Sequence, residues 1–173
     1  MQGFKYTLSW STDFTEVDNA PAGFTDRSAR TKANITLDPK MTARRDTKDS
    51  DYYFVPDTVI VNIKPVQTES WVVKDLKSDA LLKHEQIHYN ITALGGRDLE
   101  RKLLALRDES GQELMKKKEN LRKEIQDLID KTNKDYDGGV QGTNHGKKDT
   151  EQSKWEIHIN NLMNKADGEL KTL

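Results

Sequence analysis

Hydrophobic residues follow two different rhythms along this chain, and the change falls near residue 75. Before it, apolar positions alternate with polar ones over short stretches, the period of a half-buried strand. Lys5-Tyr6-Thr7-Leu8-Ser9-Trp10 has this pattern, and Asn34-Ile35-Thr36-Leu37 repeats it more briefly. Thr58-Val59-Ile60-Val61-Asn62-Ile63 is rich in β-branched residues and lies between Pro56 and Pro65, which mark its expected limits. Trp71-Val72-Val73 predicts a further short strand, and the charged stretch from Met41 to Asp51 predicts a loop.

After residue 75 the period becomes helical. Ser78 or Asp79 is placed to cap a helix from Ala80 to about Leu94, with Gly95-Gly96 expected to break or bend it. Leu99, Leu103 and Leu106 share one face of a following helix. Ser110-x-x-Glu113 reads as a capping box, followed by Leu114, Leu121 and Leu128 at heptad spacing with Ile125 filling the stripe. This heptad run is short for a coiled-coil dimer, so packing within a monomer is expected. Asp137-Gly138-Gly139 ends the run, and a last helix starts at Asp149 or Thr150 with Trp155, Ile159 and Leu162 on its buried face. The pattern as a whole predicts one α+β domain over 1–173, mainly β over 1–75 and mainly α over 78–173.

Composition narrows the function. The chain has 173 residues, 34% hydrophobic and 33% charged, with a mean hydropathy of −0.89. Its 28 Lys and Arg nearly balance 29 Asp and Glu. No basic surplus points to nucleic acid, and Lys116-Lys117-Lys118 reads as a solvated helix face. No stretch has the length and apolarity of a membrane span, and no signal-peptide core follows Met1. Cysteine is absent, so any zinc site must use nitrogen and oxygen ligands.

Within the first helix, residues 84–88 read His84-Glu85-Gln86-Ile87-His88, the H-E-x-x-H pattern of zinc hydrolases. Residues four apart on a helix lie on one face, so both imidazoles can reach one metal ion. Glu85, about 100° round the helix, can address metal-bound water as a general base without ligating the ion. Leu81, Ile91 and Thr92 continue the same inward stripe. A catalytic zinc needs a third protein ligand. Ile91 and Leu94 stand where a metzincin carries glycine and histidine, which excludes that class. Glu100, Glu109 and the loop residue His145 are the candidates left, while His158 is expected to face solvent.

The strings Leu81-Leu82-Lys83-His84-Glu85-Gln86-Ile87-His88 and Tyr136-Asp137…Thr143-Asn144-His145-Gly146 resemble a bacterial domain family of unknown function that carries the label of a predicted secreted zinc-dependent protease. Leu8-Ser9-Trp10, Asp13-Phe14 and Ser70-Trp71-Val72 are similar to it as well. The interval from Asp137 to Thr143 is longer than in the family pattern. The resemblance implies a zincin-like fold, an extracytoplasmic location and His145 as the paired third histidine.

The expected site is therefore Zn²⁺ on His84, His88 and His145 with Glu85 as base, acting on a peptide or protein. Tyr136 is either an oxyanion donor or a core tyrosine. Asp137 either orients a ligand imidazole or is a helix-end turn residue. The Val59–Ile63 strand is a candidate to pair with an extended substrate. Two other readings stand beside the peptidase: a zinc amidase acting on cell-wall peptide, and a non-catalytic module that binds through its helical arm over 99–130.

Overall fold

The computed structural model describes residues 5–48 and 51–173, which form a mixed α+β fold. Strands come first: β1 (Thr15–Val17), β2 (Ala29–Arg30), β3 (Ala33–Arg44), β4 (Tyr53–Pro65) and β5 (Trp71–Val73). A one-turn helix α1 (Trp10–Asp13) precedes them, and α2 (Asp79–Leu104), α3 (Gly111–Gly138) and α4 (Asp149–Asn164) follow.

β1, β5 and β2 form one small sheet in that order, with β1 parallel and β2 antiparallel to β5. β3 and β4 form a separate antiparallel ribbon. Val59, Val61 and Ile63 of β4 alternate inward and are buried, and the Tyr89 hydroxyl of α2 donates to the Ile63 carbonyl at 3.2 Å. Leu99 and Leu103 of α2, Leu114, Ile125 and Ile129 of α3, and Trp155 and Ile159 of α4 complete the interior.

Four expectations need correction. Lys5–Ser9 is not in a strand ladder; Gln86 takes the place of a strand partner, its Oε1 accepting from Leu8 N at 2.8 Å and its amide donating to Tyr6 O at 2.9 Å. β4 runs through Pro56 and includes Pro65. The register shifts between Lys40 and Met41, opposite Pro56, and a two-stranded ribbon tolerates residues that lack an N–H at such irregularities. Part of the expected loop is strand, because Met41–Arg44 continues β3; residues 49 and 50 lie outside the described residues.

The fourth concerns Gly95-Gly96, which neither break nor bend α2 into two helices. They are sites of close approach. A Cβ on Gly95 would lie 2.5 Å from Ile129 Cγ1, and one on Gly96 would run into the Ile63 side chain. Tight packing of α3 and β4 against α2 thus outweighs the low helix propensity of glycine.

The helix starts match the sequence pattern. Ser78 caps α2 by accepting from Leu81 N at 3.1 Å, and Ser110 caps α3 by accepting from Glu113 N at 3.3 Å. No described helix is long and apolar enough to cross a membrane.

Candidate metal centre

His84 and His88 stand one turn apart on α2 and face the C-terminal end of α3. Their Nε2 atoms are 3.2 Å apart. Asp137 Oδ1 lies 3.2 Å from His84 Nε2 and 3.0 Å from His88 Nε2. Two ligands of a tetrahedral zinc, each about 2.0–2.1 Å from the ion, are roughly 3.3 Å apart. The observed triangle is on that scale.

The other ring nitrogens fix the tautomers. His84 Nδ1 faces Gln152 Oε1 at 3.1 Å, and His88 Nδ1 faces Asn133 Oδ1 at 2.7 Å. Amide oxygens only accept, so each Nδ1 carries a proton, and Nε2 is the ring atom that each histidine turns toward Asp137. Nitrogen and oxygen atoms converging in this way in a buried site favour positive charge between them, from a metal ion or from ring protons. In the metal-free protein a proton serves. Burial lowers the pKa of His88, but the charge and hydrogen bond of Asp137, with Glu85 and Asn133, outweigh it and push the ring up to about 9. Burial acts to raise the Asp137 pKa, but the two histidines outweigh it and hold the carboxyl well below the usual range.

The turn after α3 closes the centre. Thr143 N and Oγ1 both donate to the Tyr136 carbonyl, at 2.7 and 3.0 Å, and His145 N donates to the Asp137 carbonyl at 3.3 Å. Asn144 and His145 adopt positive φ, followed by Gly146 at φ 78°. A Cβ on Gly146 would lie 3.2 Å from His84 Cγ, so glycine suits the position both for its conformation and for its close contact with the His84 ring.

His145 sits one carboxylate oxygen further out. Its Nδ1 is 3.4 Å from Asp137 Oδ2 and its Nε2 is 3.3 Å from Asp26. Among the described residues, the group that converges closely enough to hold a metal ion is His84, His88 and Asp137. Arg27 also approaches Asp137 Oδ2, at 3.5 Å.

Glu85 is 2% exposed and borders the same cleft, and its Oε2 is buried without a hydrogen-bond partner. A carboxylate oxygen left in that state is costly unless something else occupies it. The cleft measures about 210 Å³. One wall is formed by residues 27 to 33, which include the edge strand β2, and the other by the face of α3 carrying Gln126, Asp130 and Asn133.

The family described as bacterial protein of unknown function (DUF922) matches residues 57–146. The chain belongs to this family. His84, Glu85, His88, Asp137 and His145 all fall inside the matched span, whereas the Arg27–Ala33 wall and Gln152 fall outside it. Neither the curated proteins nor the solved structures give a match.

Several of the candidate residues sit differently from their expected roles. Tyr136, a candidate oxyanion donor, is fully buried: its hydroxyl donates to Gln152 Oε1 at 2.7 Å, and its ring stacks on His84 at 4.6 Å. Burial raises its pKa far above that of an exposed tyrosine. It packs the His84 ring from inside the core. Glu100 and Glu109 do not line the cleft. The Val59–Ile63 strand packs into the core, and β2 takes the position beside the histidines. His158 faces the Lys171 carbonyl at 2.9 Å.

Asn133 and Gln152 escaped sequence reasoning, although a signal existed for both. Asn133 is four residues before Asp137 on one helix face, and Gln152 precedes Trp155 and Ile159 on the buried face of α4.

Proposed function

We propose that this protein is a zinc-dependent hydrolase of peptide bonds. One observation carries the proposal: the Nε2 atoms of His84 and His88 and the Oδ1 of Asp137 meet within 3.2 Å of one another. Two imidazoles and a carboxylate, with no thiolate, are a donor set that zinc accepts in hydrolytic sites. His84, His88 and Asp137 would hold the ion. Zinc supplies Lewis acidity and an acidified water in such a site.

The remaining roles belong to the chain's own groups. Glu85 takes a proton at its unpartnered Oε2 from the water that adds to the peptide carbonyl carbon, and delivers it to the amine nitrogen as the C–N bond breaks. The open edge of β2 offers backbone groups to an extended substrate lying in the cleft, a role expected of β4 from sequence. His145 and Arg27, on the far side of Asp137, are the donors available to the substrate carbonyl oxygen.

Elemental analysis of wild type beside the His84→Ala, His88→Ala, Asp137→Ala and His145→Ala variants tests the ligand set. One zinc per chain, lost in the first three variants and kept in His145→Ala, is the expected result. Iron in place of zinc, or no metal in wild type, refutes the reading. A cleavage survey on peptide libraries and cell-wall fragments then distinguishes a peptidase from an amidase.

A further inference from the structure

Gln152 is a residue of α4, yet its side chain belongs to the ligand shell. We infer that Gln152 is the positioning residue that fixes the orientation and tautomer of His84 for metal binding; the inference rests on the metal reading above. Its Oε1 receives two donors, His84 Nδ1 at 3.1 Å and the Tyr136 hydroxyl at 2.7 Å. Its amide nitrogen donates to Glu156 Oε1 at 3.1 Å, one turn further along α4. With the nitrogen engaged there, the oxygen faces His84. In the neutral ring that binds a metal, the proton therefore stays on Nδ1, and Nε2, turned toward His88 and Asp137, is the ligating atom.

The His84 ring is restrained by three neighbours outside the His88–Asp137 group. Tyr136 stacks on it with an interplanar angle of 22°, and Gly146 packs directly against its Cγ. These contacts confine the plane of the ring; the hydrogen bond to Gln152 sets its rotation within that plane. α4 is itself anchored. Trp155 packs edge-on to Tyr136 at 5.3 Å and donates from Nε1 to the Gln141 carbonyl at 2.9 Å. Arg97 of α2 donates to the Leu162 and Met163 carbonyls at the other end of the helix. α4 lies beyond the span that matches the family, so a segment outside that span completes the shell around His84.

The test measures zinc affinity by chelator competition, together with the visible spectrum of the cobalt-loaded protein. The proteins compared are wild type, Gln152→Leu and the exchanged pair Gln152→Glu with Glu156→Gln. The pair keeps an acceptor on His84 and a hydrogen bond between positions 152 and 156. Gln152→Leu is expected to weaken zinc binding by about 10- to 100-fold and to alter the cobalt spectrum, and the exchanged pair to recover both. Thermal melting of the metal-free proteins shows whether Gln152→Leu is folded; if it is not, the exchanged pair and Gln152→Asn carry the comparison. Affinity in Gln152→Leu within about threefold of wild type, or an exchanged pair no better than a variant lacking the acceptor, overturns the inference and leaves the metal site standing. A wild type that binds no zinc overturns both.

Discussion

Helix α2 buries two polar clusters a few turns apart, and they are completed in opposite ways. Near its C-terminal end, Arg97 donates to the carbonyls of Leu162, Met163, Lys165 and Gly168. Beside it, Asp98 accepts from Leu170 N at 2.6 Å and from Arg101 at 3.0 Å. Donors meet acceptors throughout that contact set, with only Arg97 Nε unpartnered, and the result is a clamp on the C-terminal segment. Near the N-terminal end, His84 and His88 both turn Nε2 toward one oxygen of Asp137, and Glu85 Oε2 is left without a partner. Burying polar groups costs free energy in both places. The first cluster offsets the cost with protein partners and serves stability; the second leaves Glu85 Oε2 unpartnered beside a group that could hold a metal ion, which is what the proposed hydrolase would use.

This contrast is open to direct attack. Glu85→Gln should retain zinc and lose hydrolysis by roughly 10²- to 10⁴-fold, read as kcat/KM on any substrate found by the cleavage survey. Unchanged turnover would remove Glu85 as the base. Arg97→Ala should act on the fold alone, destabilising it by about 3–5 kcal/mol because buried carbonyls lose a charged donor. Denaturant unfolding measures this loss, and zinc affinity at a temperature where the variant is folded should be unchanged.

Adding zinc at a hundred times its Kd should stabilise wild type by about 2.7 kcal/mol and raise its Tm, with no shift in His84→Ala. Gly96→Ala should lose about 1–3 kcal/mol through overpacking against Ile63. A gain in stability there would mean that helix propensity, not packing, governs the middle of α2.

The smallest expected effect is in protons. The His88 pKa, about 9 in the fold, lies above its ordinary value of 6.5. Its protonation therefore stabilises the metal-free fold fully below about 6.5, and this contribution is lost as pH rises through about 9. Zinc takes only the unprotonated ring. Binding near neutral pH should therefore release a proton, and apparent affinity should climb with pH and level off above about 9. Calorimetry in buffers of different ionisation enthalpy reads that release; a proton count of zero would place the metal elsewhere.

How far the sequence reached depends on the range of the interaction that decides each feature. Ser78 and Ser110 start helices through contacts three residues away, and H-E-x-x-H puts two imidazoles on one face through a single helical turn. Such signals are local and legible. Gly95-Gly96 read as a break because the reason for glycine, contact with Ile129 and Ile63, lies far along the chain. Lys5–Trp10 read as a strand because its alternation is real, but its partner is the Gln86 side chain. The same applies to the site. His84, Glu85 and His88 were evident from spacing, and His145 from the resemblance, whereas Asp137 read more readily as a turn residue.

The sequence by itself therefore determined the mixed α+β organisation, the helix starts and the two-histidine face with its glutamate, because residues close in the chain settle them. Only the tertiary structure decided that Asp137 Oδ1 meets both imidazoles, that Tyr136 is packed away from the cleft, that β2 rather than β4 borders it, and that Gln152 reaches in from α4. Each of these joins groups on separate elements. Where they meet is set by how closely α2, α3 and α4 pack, and the alternation and periodicity of a single chain do not record that distance.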